Sequence, residues 1–149
     1  MALNSGAIAT AIAALTVTGV TIKSLSNVPD IITVNECPIM IPDPDNWISG
    51  GLGNGEASDT FGPGMWTFDR AFGYLYFHAA TGQKVGLSAY LSAISTNLDA
   101  IMTALTTLNV SGVDVMQVDC GGLGDYTDQA GNSFYGCRIS VTLKERINA

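Results

Sequence analysis

His78 is the only histidine of the chain and stands at the end of the aromatic run "YLYFHAA". Used as a base, it would need a nucleophile beside it, or a carboxylate to orient the ring. Asp69 and Lys84 lie close in sequence, yet no Ser, Cys or Asp stands in a nucleophile-elbow context. The residue types therefore favour His78 as the hydrogen-bonded tip of a core strand. Cys37, Cys120 and Cys137 form an odd set without CxxC spacing. That pattern fits reduced, partly buried thiols better than a disulfide framework, and it lacks zinc-ligand spacing.

Calcium is the best metal candidate, with Asp119, Asp125, Asp128 and Asn132 in one stretch and Asp43, Asp45 and Asn46 in another. Neither set follows the alternating loop with a closing Glu, so both read as solvated acidic loops. The stretch "SGGLGNGE" lacks the Gly-Lys-Ser/Thr of a phosphate loop, and Glu56 stands where the third glycine of a dinucleotide fingerprint would fall. Carboxylates for glycoside hydrolysis are plentiful, but nothing singles out a pair. No catalytic residue, metal or cofactor is assigned on this basis.

The elements that would hold these residues are legible from periodicity. The 149 residues make one domain, 1–149, with 47% hydrophobic and only 13% charged residues. A charged fraction so far below the usual quarter suggests a surface that faces other protein. Net charge is −7, and there is no basic residue between Ser24 and Asp69 or between Val85 and Cys137. Clustered cations are needed to hold phosphates, so nucleic-acid binding is disfavoured. Residues 1–23 lack the basic start of a secretory signal and are too often interrupted by Thr, Ser and Asn for a span; they predict a packed helix capped by Asn4 or Ser5.

"VTIKSL" reads as a strand, and the proline-punctuated stretch 28–47 as extended, edge-like segments. Residues 49–64 are glycine-rich and acidic and predict a projecting loop, carrying Gly51, Gly53, Glu56 and Asp59. "MWTFDRAFGYLYFHAA" is apolar on both parities, as in a strand covered on two sides. Leu87 to Leu108 keeps a 3.6-residue apolar spacing, with Ser88, Ser92, Ser95, Asp99, Thr103 and Thr106 opposite. A face of small hydroxyls with one charge suits packing against a neighbouring subunit. A strand over "VSGVDVMQVDC" and a glycine-rich loop follow. The last strand alternates, with Cys137, Ile139, Val141 and Leu143 inward and Arg138, Ser140, Thr142 and Lys144 outward. The expected fold is α+β: a mainly antiparallel sheet packed by an N-terminal helix and one long amphipathic helix, with a Gly-rich arm. Candidate contact residues are the hydroxyl face of the helix together with Arg138, Lys144 and Arg146.

"YLYFHAATGQKVGLSAYLSAISTNLDAIMTALTTL", then "VSGVDV" and "GNSFYGCRISVTLKERIN", resemble the tail terminator and neck proteins of long-tailed bacteriophages. The segment "NECPIMIPDPDNWI" is similar to the extended segment ahead of that family's long arm; residues 49–64 match nothing in it. The resemblance implies a non-enzymatic virion protein that forms a hexameric ring with copies of itself. Such a ring caps the tail tube, meets tail-tube and head-connector proteins, and lets genomic DNA pass without specific binding or membrane contact. Three other readings stay open: a connector, stopper or tube protein of the same machine, a secreted binding module, and a small hydrolase using His78.

Overall fold

A computed structural model describes residues 3–49, 56–59, 65–81 and 86–148. Helix α1 spans Ser5–Ala13, and the Asn4 side-chain oxygen accepts from the Ala7 N–H at 2.9 Å, satisfying one of the free first-turn amides. Its stripe buries Ile8 and Ile12. The helix stops well before Gly19, where Thr and Val begin to crowd. The chain then closes a tight Val17–Val20 turn with Gly19 at φ +79°. Positive φ is open to glycine without a Cβ clash.

The sheet runs β1-β2-β5-β7-β6, with β3 and β4 also paired to β5. Its strands are β1 (Thr21–Ile22), β2 (Ile39–Pro42), β3 (Ile48–Ser49), β4 (Glu56–Asp59), β5 (Met65–Ala80), β6 (Val113–Thr127) and β7 (Ser133–Asn148). The β1–β2 pair is parallel, and every other pairing among the described residues is antiparallel. Helix α2 spans Leu91–Thr106, preceded by a single 3₁₀ turn at Leu87–Ala89. Ile8 and Ile12 of α1 and Ile94, Ile101 and Leu105 of α2 share one core with Phe72, Tyr74, Tyr76, Cys137, Ile139, Val141 and Leu143. Both helices therefore cover the same sheet face, as expected.

A smaller core of Ile32, Ile39, Ile41, Leu75, Phe77 and Phe134 lies on the other face, under the segment around Val28 to Cys37. Strand β5 is thus buried on both sides from Phe72 to Phe77, which explains its continuous apolar reading.

Four expectations need correction. Strand β2 is not edge-like: all four residues are buried between β1 and β5, because Pro38 precedes the strand and Pro42 ends it, leaving the ladder amides intact. Of "VTIKSL", only two residues form β1. Glu56–Asp59 is not loop but β4, paired with Trp66–Asp69 of β5; a long strand with a free flank supplies the ladder partners that local composition does not reveal. Gly51 and Gly53 lie outside the described residues. Finally, the second "GGLG", at Gly121–Gly124, lies inside β6 at a bulge, and the real turn is confined to Asp128–Asn132.

Candidate functional site

Helix α2 packs one face and leaves the other bare. Ser92, Ser95, Asp99, Thr103 and Thr106 step by threes and fours along the exposed side, with exposed Ser88 just ahead in the 3₁₀ turn. The threonines do not offer their hydroxyl donors outward. Thr103 donates to the Asp99 carbonyl at 2.8 Å, Thr106 to Thr103 at 2.6 Å, and Thr107 to Ala104 at 2.7 Å. Each such bond satisfies the donor on the helix itself and leaves methyl groups for a neighbour to cover. Two open grooves flank this stripe. One, of about 570 Å³, lies against Leu15–Thr18; the other, of about 430 Å³, lies against Val115–Val118 of β6.

The basic candidates sit elsewhere. Because β7 sends Cys137, Ile139, Val141 and Leu143 toward the helices, Arg138, Lys144 and Arg146 fall on the opposite sheet face. There they meet acids of their own chain. Arg146 Nη2 lies 2.8 Å from Asp114 Oδ2, and Arg138 Nε 3.9 Å from buried Asp43, with its guanidinium 5.7 Å from the Tyr126 ring centre. Lys144 stands in register between Asp69 and Asp114. The structure therefore separates the two halves of the expected contact surface onto opposite faces.

His78 lies at the sheet–helix joint. Asn97 of α2 donates to the Tyr76 hydroxyl at 2.9 Å, and that hydroxyl lies 2.6 Å from His78 Nδ1. The Tyr76 oxygen thus meets both the Asn97 amide and the His78 ring. The His78 ring also packs edge-on to Tyr90, which in turn meets Tyr135 of β7. Burial pushes Tyr76 up to about 12 and pushes His78 below its ordinary 6.5. The partner of the ring is thus a phenol, not a carboxylate that would orient it as a base.

A pH dependence follows. With the native pKa depressed, the unfolded chain takes up the His78 proton first as pH falls. The His78 contribution to stability should therefore be fully present above about pH 6.5 and decline below it. Thermal midpoints at pH 7.5 and 5.5 should differ less in His78→Gln than in the parent chain; an equal acid loss would place the sensitivity elsewhere.

One ion pair escaped sequence reasoning. Arg70 and Glu145 form a two-pronged pair, Nε–Oε2 2.5 Å and Nη2–Oε1 2.6 Å, buried on the helix side of the sheet. The signal was present: Arg70 shares the parity of Phe68 and Phe72, and Glu145 continues the inward series of β7. Cys120 and Cys137 bring their sulfurs to 3.3 Å across β6 and β7; burial, with Cys120 adjacent, pushes the Cys137 thiol upward. Cys37 is raised to about 11 by burial and by Glu36.

Asp128, one of the calcium candidates, is engaged structurally. Its carboxylate accepts from the Ile32, Ala130 and Asn132 amides, tying the β6–β7 turn to the segment over the second core. Among the described residues, no three of His, Cys, Asp and Glu gather as a metal set, and no helix is long and apolar enough to cross a membrane. No protein-family model matches this chain, and no curated protein matches it.

Proposed function

We propose that this chain is a non-enzymatic structural protein of a bacteriophage virion. It forms a ring with copies of itself that caps the tail tube and joins the tail to the head or neck. The observation that carries the reading is the bare stripe of α2. It is exposed along the whole helix, holds one charge, and has its threonine donors satisfied internally. Burying such a face leaves the serine hydroxyls and Asp99, but not the threonine donors, in need of new partners, which limits the polar cost of the contact. A contact of that kind, repeated around a rotation axis, closes into a ring. Arg138 and Arg146 stand beside acids of their own chain, and the net charge is acidic. A lumen lined by such a surface lets DNA pass without holding it.

The test is the mass of the purified chain by light scattering. The expectation is a ring of about six copies. Placing lysine at Ser95 and Thr103 together should yield monomers with an unchanged circular dichroism spectrum. A parent chain that stays monomeric at high micromolar concentration would remove this reading.

A further inference from the structure

Strand β6 is bonded to β7 along one edge, and no strand lies on its other edge among the described residues. Its fifteen residues include no Lys, Arg or Pro, and its only charges are the acids Asp114, Asp119 and Asp125. Two bulges interrupt it, between Val115 and Gln117 and between Gly121 and Gly124. Bulges alone would blunt the edge, but each here also turns an apolar residue out of register toward water. Met116 is 52% exposed and Leu123 44%. Between them Gln117–Gly121 forms an unbroken run. On the helix side, Met116 and Val118 wall the groove against Met102 of α2. On the other side, Asp119 is exposed and is bonded only to Gln117 Nε2, at 2.7 Å.

We propose that the free edge of β6 receives an extended segment of a separate protein. That segment alternates aliphatic residues with lysine or arginine, and it adds as a further strand across Gln117–Gly121. Backbone groups supply the ladder, aliphatic side chains enter the groove beside Met116, and cations on the alternate positions face Asp119. A second copy of this chain is a poor donor. Its basic strand, β7, is already paired on both sides, and its own free strand, β6, would set acid against acid. This inference does not depend on the ring.

The probe is a ten-residue peptide of alternating valine and lysine, titrated into the isotopically labelled chain, with a valine–glutamate peptide as its counterpart. Amide shifts and slowed hydrogen exchange should be confined to Gln117–Gly121 and the two bulges. The glutamate peptide should bind at least 10-fold more weakly. Asp119→Lys should reverse that preference, and Met116→Lys should weaken the lysine peptide at least 10-fold. Equal binding of both peptides, shifts away from β6, or no binding would overturn the proposal. So would β6 amides already protected in a self-associated chain, which would give the edge to a second copy.

Discussion

Glu145→Gln is expected to lower stability by about 3–5 kcal/mol, read as a shift in the urea midpoint at unchanged slope. The reason is geometric. The guanidinium of Arg70 has both prongs on Glu145, each side chain is only 4% exposed, and its remaining contact is the Phe72 ring at 5.1 Å. Glutamine keeps the shape but leaves a buried cation without its counter-charge. The double change Arg70→Met with Glu145→Leu removes both charges at similar volume, and it should recover most of the loss. Breaking one partner is costly, whereas replacing both is near neutral. If the double variant were as unstable as the single one, the pair would not be what holds this corner.

Gly136→Ala should be nearly as damaging, with a loss of about 3 kcal/mol or more. Gly136 lies opposite Phe77, beside the bulge at His78. A Cβ there would overlap the Tyr76 carbonyl oxygen and come within 2.9 Å of its carbon and 3.3 Å of Phe77 Cα. All three obstacles are backbone, so relief requires prising β7 from β5 at the centre of the sheet. The same movement would displace Tyr76 and His78, so the His78 titration should shift toward its ordinary value. Gly121→Ala is the control. Nothing lies within 4 Å of its Cβ, and its cost should stay within about 0.5 kcal/mol. Matching losses at the two sites would mean that the crowding at Gly136 is not the cause.

Periodicity carried much of the fold. The alternation of Cys137 to Leu143 named its buried side correctly, and so did the 3.6-residue rhythm of α2 except at exposed Leu91. So did the double parity of β5, because each is a local property of one element facing one layer. The same rhythm held Arg70 and Glu145, two charges in apolar phase on different strands. It could have been read as a buried pair had the two strands been known to be neighbours. Composition misled where pairing overrode it: β2 between prolines became an interior strand, and "GGLG" became the bulge that turns Leu123 toward water.

By itself, then, the sequence determined which side of each element is apolar, how scarce charge would be, and that His78 ends a core strand. Only the tertiary structure decided which elements meet. It set the hydroxyl stripe of α2 and the cations of β7 on opposite faces, brought Cys120 against Cys137, and left β6 as a free edge. Facing within an element depends on residues a few positions apart and is written in the local pattern. Strand neighbours and register depend on residues tens of positions apart, and no single window of sequence contains both partners.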